Sequence, residues 1–258
     1  MTKLHIAALG SSFAAGPSIE PIENKAAGRS TRNYAHQLAE ALDAQLTDLS
    51  VSGATLLNVL HDKQTMGGQT FDAQLDHLPA DADIVTLTCG GNDLNYIGGL
   101  VYDSLLSYLG PLKKVVPGQT KDPPIQLDEL RNRFLAVLDK IHDIAPKAKV
   151  YLVEYLTIIG NDTRPWLDIA LTAEQMKHYA DVAVMLSTAY NDATKSRSFA
   201  EILPVARSSN EHALGSRVPW VEGFNLSMLM RGVAPYHPNL AGHTAIAEML
   251  RERVSQNK

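Results

Sequence analysis

The sequence has little cysteine, no long apolar run and no excess of basic residues, and each absence excludes a class of protein. Cys89 is the single cysteine among 258 residues, so no disulfide forms within the chain and no cysteine cluster binds zinc. No stretch approaches the roughly 18 consecutive apolar residues of a transmembrane helix. Basic residues number 23 and acidic residues 28, a net charge of −5. We therefore expect no nucleic-acid partner and no transmembrane segment.

The N-terminus and the histidines exclude two further classes. The apolar stretch Leu4–Leu9 lacks the longer core and the small-residue cleavage site of a secretory signal. We therefore expect a cytoplasmic protein, unless a signal peptide was removed from a secreted mature form. The histidines show no metal-ligand spacing such as HExxH, and no glycine-rich phosphate loop is present. No metal and no cofactor are expected.

Strand-like and helix-like patterns alternate along the chain. Apolar runs predict strands over Leu4–Leu9, Leu46–Val51, Ile84–Thr88, Lys149–Val153 and Phe199–Val205. Helical spacing predicts helices over Thr31–Leu42, Leu127–Ile144, Thr172–Lys195 and Asn239–Val254. Strands separated by helices imply βαβ crossovers, and no linker or repeat divides residues 1–258. The pattern therefore predicts one α/β domain with a mostly parallel sheet.

Two segments exceed what such a fold requires, at about residues 95–128 and 157–171. Both follow predicted strands, and ligands in open α/β sheets bind beyond the carboxyl ends of the strands. The segments are therefore expected either to cover a substrate site or to be surface decoration. A set of apolar residues in the first segment either lines an acyl groove or packs the segment down: Tyr96, Tyr102, Leu105, Tyr108 and Leu109.

Small polar residues follow three of the predicted strands, at 10–12 (GSS), 52–53 (SG) and 91–93 (GND). A serine at the start of a helix lies beside unpaired backbone N–H groups, which stabilise an oxyanion in acyl transfer. A glycine N–H and an asparagine amide are donors of the same kind. Taken singly, each residue is also an ordinary cap or turn former.

A histidine near the C-terminus supplies what an activated serine needs. His237 precedes Pro238, which favours an extended conformation outside the following helix. A histidine in such a loop is free to project into a cleft and act as general base toward a serine hydroxyl. His243, at the start of that helix, is expected to be structural.

These segments together resemble the SGNH hydrolases, or GDSL esterase/lipase superfamily, whose marker residues are Ser, Gly, Asn and His in separate blocks. The blocks are matched in the family's order at residues 10–16 (GSSFAAG), 49–55 (LSVSGAT), 90–93 (GGND) and 237–243 (HPNLAGH). The chain most resembles a lipase-like branch of actinobacterial esterases and lipases.

The resemblance implies a fold and a set of roles. The fold is a flavodoxin-like three-layer α/β/α sandwich with a mostly parallel five-stranded sheet. Ser12 is implied as the nucleophile, with Ser11 as its rival, and His237 as the general base. The backbone N–H groups of Ser12 and Gly53 and the side-chain amide of Asn92 are implied as the oxyanion hole.

The sequence departs from the family pattern in its acids and its cysteines. Ser11 replaces the aspartate of the first block, and Ala234 replaces the triad aspartate three residues before His237. We expect the carbonyl of Ala234, or one beside it, to accept from Nδ1 of His237; the alternative is Glu222 folding back to the ring. Members of the branch usually carry disulfides, whereas Cys89 is expected to be a buried thiol.

The expected activity is hydrolysis of a carboxylic ester through an acyl-enzyme on Ser12, with a small-molecule ester or lipid-like substrate as the partner. Acyl transfer by the same Ser–His pair is an alternative. A non-catalytic binding protein on the same scaffold is the alternative from another class. Ala234 motivates it, because loss of the triad carboxylate costs about 10⁴-fold in turnover elsewhere.

Overall fold

A parallel five-stranded sheet forms the centre of the computed structural model, which describes residues 3–110 and 125–256 except the side chains of residues 229–231. The strands are β1 (His5–Gly10), β2 (Ile22–Asn24), β3 (Arg29–Ser30), β4 (Gln45–Asp48), β5 (Gln64–Met66), β6 (Gln69–Phe71), β7 (Ile84–Thr88), β8 (Lys149–Val153) and β9 (Ala200–Leu203). The α-helices are α1 (Ser12–Ala15), α2 (Tyr34–Ala41), α3 (Leu56–Leu60), α4 (Tyr96–Leu109), α5 (Leu127–Ile144), α6 (Ala173–Thr194), α7 (Val205–Ser209), α8 (Leu226–Arg231) and α9 (Leu240–Gln256). Two short antiparallel hairpins, β2 with β3 and β5 with β6, lie outside the central sheet.

The order of the central strands is β4-β1-β7-β8-β9, all parallel. Counted along the chain, this is the 2-1-3-4-5 order of flavodoxin-like sheets, with the topological switch point between β1 and β7. Helices α2 and α9 pack together, and α5 packs against α3 and α6. The predicted three-layer α/β/α sandwich is confirmed.

The core follows from the apolar patterns. Every residue of β1 and β7 is buried, as expected for parallel strands covered on both faces. Helix α5 buries one stripe of its surface at helical spacing: Leu130, Phe134, Val137, Leu138 and Ile141. Acidic residues occupy its first turn, where the helix dipole favours them.

Element bounds agree with prediction where the apolar run is continuous and differ where a polar residue redirects the chain. β7, β8 and α5 have the predicted bounds. The strand predicted over Leu46–Val51 ends at Asp48, because its carboxylate accepts the N–H and the hydroxyl of Ser50 and turns the chain. The strand predicted over Phe199–Val205 ends at Leu203, because Pro204 has no N–H to donate.

Three helices are likewise offset from their predicted bounds. The helix predicted over Thr31–Leu42 begins only after Asn33, whose side chain accepts the N–H of His36 and caps α2. Thr172 caps α6, as its sequence position indicated, in a reciprocal capping box with Gln175. The last helix runs from Leu240 to Gln256 rather than from Asn239 to Val254.

The two long segments differ in structure. The first begins with α4, whereas residues 111–124 lie outside the described part of the chain. The second, residues 157–171, is irregular and leads into α6. Cys89 is fully buried, as predicted. In the described ranges, no helix is both long enough and apolar enough to cross a membrane.

Candidate active site

The first strand delivers a serine to the switch point of the sheet. β1 ends at Gly10 and α1 begins at Ser12. Gly10 has a φ of +140°, and a Cβ there would lie 2.3 Å from the carbonyl oxygen of Thr88, so the turn requires glycine. The amide of Gln74 binds Gly10 at both ends, accepting its N–H at 2.8 Å and donating to its carbonyl at 2.9 Å. A buried glutamine far along the chain carries no signal in one sequence, and Gln74 was not predicted.

The structure brings Ser12 to the predicted base. Oγ of Ser12 lies 2.8 Å from Nε2 of His237. Ser11, the rival serine, is fully buried and its Oγ lies 2.9 Å from the hydroxyl of Tyr155 instead. Of the two adjacent serines, only Ser12 is hydrogen-bonded to the histidine.

A main-chain carbonyl fixes the tautomer of His237. Nδ1 lies 2.7 Å from the carbonyl oxygen of Pro235, the residue beside Ala234. Because a carbonyl can only accept, Nδ1 carries the proton and Nε2 is free to accept from the serine hydroxyl. Glu222 meets this loop through its backbone: its N–H donates to the carbonyl of His237 at 2.8 Å.

Burial sets the charge of the base. Desolvation lowers the pKa of His237 to about 4, and the hydrogen bond to the Pro235 carbonyl acts in the opposite direction. The imidazole is therefore neutral at pH 7, the state that a general base requires. The ring of Phe13 packs beside it, with 5.3 Å between ring centroids.

The backbone that carries His237 is held in an unusual conformation. Tyr236 has a φ of +61°, which is uncommon for a bulky residue. Its hydroxyl lies 2.6 Å from Oγ of Ser104 on α4, and its N–H donates to the carbonyl of Glu222 at 3.0 Å. These contacts compensate for the strained backbone and hold the following histidine in place.

The implied oxyanion donors lie at the ends of neighbouring strands. Within the described ranges, the backbone N–H groups of Ser12 and Gly53 have no hydrogen-bond acceptor. Gly53 has a φ of +82°, which favours glycine. Nδ2 of Asn92 donates to the carbonyl of Ala54 at 2.9 Å. An amide has two hydrogens, so this bond orients the side chain and leaves one hydrogen for a ligand.

The aspartate after Asn92 holds the asparagine turn in place through hydrogen bonds. The carboxylate of Asp93 accepts the N–H of Leu56 at 3.0 Å and Nη1 of Arg133 at 2.9 Å. Burial raises the pKa of Asp93, and these two hydrogen bonds oppose that shift. Asp93 thereby ties the asparagine turn to α3 and α5. Arg133 was not predicted, because an arginine on a helix surface looks like any solvated charge.

His243 makes no hydrogen bond to Ser12 or His237 in the described part of the chain. It is fully buried, and its Nδ1 accepts the N–H of Tyr34 at 3.1 Å. Burial lowers its pKa to about 3. These contacts agree with the structural role expected for it. In the part of the chain that the structure describes, no three His, Cys, Asp or Glu side chains are grouped to hold a metal ion.

Comparison with known proteins identifies the family. A family model described as GDSL-like lipase/acylhydrolase matches residues 8–245. The chain belongs to this family. It is a carboxylic ester hydrolase, as predicted. A curated relative, Lipase 2 of Streptomyces coelicolor, is 29% identical over 261 residues, which cover 95% of this chain and 84% of the relative.

Two solved structures share the fold over nearly the whole length of both chains. Phospholipase A1 from Streptomyces albidoflavus superposes with a TM-score of 0.74 at 18% identity, covering 97% of this chain and 99% of the other. An extracellular lipase from Streptomyces rimosus gives a TM-score of 0.73 at 20% identity, covering 96% and 99%.

Proposed function

We propose that the protein hydrolyses carboxylic esters through an acyl-enzyme on Ser12, using a Ser–His dyad completed by a main-chain carbonyl. The observation that carries the proposal is the aligned pair of contacts on His237, 2.8 Å from Nε2 to the serine hydroxyl and 2.7 Å from Nδ1 to the Pro235 carbonyl. Together they give a neutral base in the right tautomer against a serine at the start of a helix.

In the first half-reaction Oγ of Ser12 attacks the ester carbonyl carbon while Nε2 of His237 takes the hydroxyl proton. The tetrahedral oxyanion accepts from the N–H groups of Ser12 and Gly53 and from the amide of Asn92. Collapse breaks the bond to the alkoxide, which leaves as the alcohol with the proton from the imidazolium. In the second half-reaction a water gives a proton to His237 and attacks the acyl carbon. The bond from that carbon to Oγ of Ser12 then breaks, the imidazolium returns its proton to Oγ, and the carboxylic acid leaves.

The carbonyl partner does part of what a triad carboxylate does. It holds the ring and the tautomer, because it accepts the Nδ1 proton. It supplies no full negative charge, so the imidazolium formed in the transition state is less stabilised than in a Ser–His–Asp triad. A pKa of about 4 for His237 in the resting site agrees with that lack of charge.

An apolar surface beside the base suits the acyl or alkyl part of a lipid-like ester. Tyr108, on α4, is half-exposed and packs on Phe224 with 5.5 Å between ring centroids. Phe224 stacks in turn on Tyr236, with 6.0 Å between centroids. Leu226, at the start of α8, is also exposed. The names lipase and phospholipase A1 among the similar proteins support a substrate of this class.

We extend the proposal to the domain organisation. The chain is one unit in this proposal, and α4, from the first long segment, and residues 157–171 overhang the face that carries Ser12. For the first segment the support is the contact between Ser104 of α4 and Tyr236, next to the base. For the second it is the exposure of Trp166 and Leu167 on a loop that follows β8.

Labelling with a fluorophosphonate, mapped by peptide mass spectrometry, tests the proposed chemistry without the natural substrate. We expect label on Ser12 in the wild-type protein, no label in Ser12→Ala, and label lost in His237→Ala. His243→Gln, the matched histidine control, should keep the label. Label on Ser11 would move the nucleophile by one residue. A folded protein that takes no label would contradict an activated serine at Ser12 and with it the proposed acyl-enzyme.

The acyl chain length follows from a second, inexpensive measurement. We expect p-nitrophenyl esters of increasing chain length to give kcat/KM values that rise from acetate to a medium chain, because the apolar surface beside His237 gains contact with each methylene. A decline from acetate onward would assign that surface to packing alone.

A further inference from the structure

Tyr155 lies where three strand ends meet. It follows β8 by two positions, and its side chain is buried. Its hydroxyl lies 2.9 Å from Oγ of Ser11 and accepts the backbone N–H of Gly91 at 3.3 Å. Ser11 immediately precedes Ser12, and Gly91 immediately precedes Asn92. One hydroxyl therefore connects the nucleophile turn (residues 10–12) to the asparagine turn (residues 90–93).

The Tyr155 hydroxyl takes part in both contacts as a neutral group. Its oxygen accepts from Gly91, because a backbone N–H can only donate, and its proton is available for the contact with Ser11, in which either hydroxyl can be the donor. Burial raises the pKa of Tyr155, so the phenol keeps that proton at neutral pH. Oγ of Ser11 lies in turn 3.5 Å from the carbonyl of Thr88, which also accepts the Ser11 N–H at 2.9 Å. The contacts form a continuous series from the asparagine turn through Tyr155 to the nucleophile turn.

The side chain of Ser11 does not cap the helix that follows it. It is the N-cap residue of α1, yet its side chain makes no capping hydrogen bond. A serine there ordinarily accepts the N–H of the second or third helical residue. Because its Oγ is engaged with Tyr155 instead, Ser11 contributes to the placement of the turn rather than to the helix.

The neighbours of Tyr155 are shaped around this contact. A Cβ at Gly91 would lie 2.7 Å from the ring and 2.8 Å from the hydroxyl, so only glycine lets the hydroxyl reach the backbone. The ring of Phe13 stacks on Tyr155 with 4.2 Å between centroids, and the same ring packs beside His237. One side chain thus supports the nucleophile turn, the asparagine turn and the packing behind the base.

We propose that Tyr155 is a positioning residue for ester hydrolysis, which with Ser11 fixes the nucleophile turn against the asparagine turn so that the oxyanion donors converge on one point. The inference rests on the proposed function, because it assigns the convergence a catalytic purpose. The rate is sensitive to the position of the reacting groups: a misplacement of about 1 Å lowers it on the order of 100-fold.

The variants Tyr155→Phe, Ser11→Ala and the double variant test the pair. Each single variant removes one end of the Tyr155–Ser11 hydrogen bond and keeps the ring stacking on Phe13. We expect kcat to fall by about 10- to 100-fold with KM nearly unchanged, and the rate of fluorophosphonate labelling to fall in parallel. The double variant should be close to either single one, because both break the same link.

Tyr190→Phe is the matched control. The Tyr190 hydroxyl donates to the carbonyl of Cys89 at 2.7 Å and accepts its N–H at 3.2 Å. It is a fully buried tyrosine bound to the residue that follows β7, and in the described ranges it has no hydrogen bond to either turn. Tyr190→Phe should lower the melting temperature about as much as Tyr155→Phe and leave kcat within about twofold.

The outcomes separate this inference from the proposed function. Wild-type protein that takes no label on Ser12 overturns both. Wild-type protein labelled on Ser12, with Tyr155→Phe labelled at the same rate, overturns only the positioning role. Equal loss of kcat in Tyr155→Phe and Tyr190→Phe also overturns it, since the loss would then reflect stability. A loss confined to Tyr155 and Ser11, with non-additivity in the double variant, supports it.

Discussion

His237 and His243 lie six residues apart in the same C-terminal segment, and burial lowers the pKa of both rings. Their hydrogen bonds are opposite. Nδ1 of His237 donates to the Pro235 carbonyl, so its Nε2 accepts from Ser12. Nδ1 of His243 accepts the N–H of Tyr34, so its proton is on Nε2, a buried atom without a partner in the described ranges.

The difference shows what allows a histidine to act as a base. Desolvation keeps either ring neutral, although His243 is fully buried and His237 is only partly buried. The backbone group at Nδ1 then decides which nitrogen accepts: a carbonyl leaves Nε2 of His237 for a hydroxyl that reacts, whereas an amide occupies the acceptor of His243 permanently. His243, on α9, also has a buried N–H without a partner in the described ranges, which costs about 1–3 kcal/mol, and its ring stacks on Tyr34 of α2 with 5.9 Å between centroids.

The largest expected effect tests this contrast directly. His237→Ala removes the only base in the proposed mechanism, so kcat should fall by at least about 10³-fold in hydrolysis of a p-nitrophenyl ester. His243→Gln should retain the turnover of the wild-type protein per folded molecule, measured with the active-site titre, and lose thermal stability. If the two variants lost turnover equally, the assignment of roles to the two rings would be wrong.

The second-largest expected effect compares two asparagines, Asn92 in the proposed oxyanion hole and Asn33 at the start of α2. Asn92→Ala removes a proposed oxyanion donor and should lower kcat by about 10²-fold with little change in KM. Asn33 is the control residue. It caps α2, donates to Asp48 at 2.7 Å and immediately precedes Tyr34, whose N–H donates to His243. Asn33→Ala should cost about 1–2 kcal/mol of unfolding free energy and spare kcat. Steady-state kinetics beside urea titration of both variants separates the two cases; a larger loss of kcat in Asn33→Ala would contradict the proposed oxyanion hole.

What sequence alone could predict here depends on how local the signal is. β7 and β8 are continuous apolar runs, and their bounds were predicted. Ser12, Gly53, Asn92 and His237 lie in short blocks with a recognisable order, so the candidate site could be assembled before the fold was known. The family resemblance, not periodicity, supplied their roles.

The unpredicted parts are those that exist only in three dimensions. Gln74 and Tyr155 act through partners 64 and 144 residues away, and nothing in their own surroundings marks them. The acceptor for His237 was predicted only as the carbonyl of Ala234 or one beside it, and the structure identifies it as Pro235; every residue has a backbone carbonyl, so the sequence does not single out which one accepts. The left-handed conformation of Tyr236 likewise depends on contacts with distant segments.

The third effect is a pH dependence. With a pKa of about 4, His237 should stay neutral at pH 5, where an imidazole of ordinary pKa, about 6.5, would be mostly protonated. We expect kcat/KM to hold down to about pH 5 and to fall about tenfold per pH unit below 4, because protonated His237 accepts no proton from Ser12. A midpoint near 6.5 in wild-type protein shown by circular dichroism to be folded would contradict the desolvated base.

The same shift has a stability counterpart in His243. Its folded pKa, about 3, lies below the value of about 6.5 expected when unfolded, so between these the unfolded state binds more protons. Its contribution is therefore fully present above about pH 6.5 and is lost as pH falls toward 3. The unfolding free energy of wild type minus that of His243→Gln should shrink over this window. A constant difference would mean that the ring is not buried in solution.

The smallest expected effect asks whether His237 has a carboxylate partner after all. The backbone of Glu222 makes two hydrogen bonds with the histidine loop. Its N–H donates to the carbonyl of His237, and its carbonyl accepts the N–H of Tyr236. Nδ1 of His237 is already satisfied by the Pro235 carbonyl, so the Glu222 carboxylate has no proton to accept there. Glu222→Gln should therefore change kcat by less than about twofold, with His237→Ala as the reference for loss in the same assay. A fall approaching 10⁴-fold, the cost of losing a triad acid, would make Glu222 the third member and replace the carbonyl dyad with a triad.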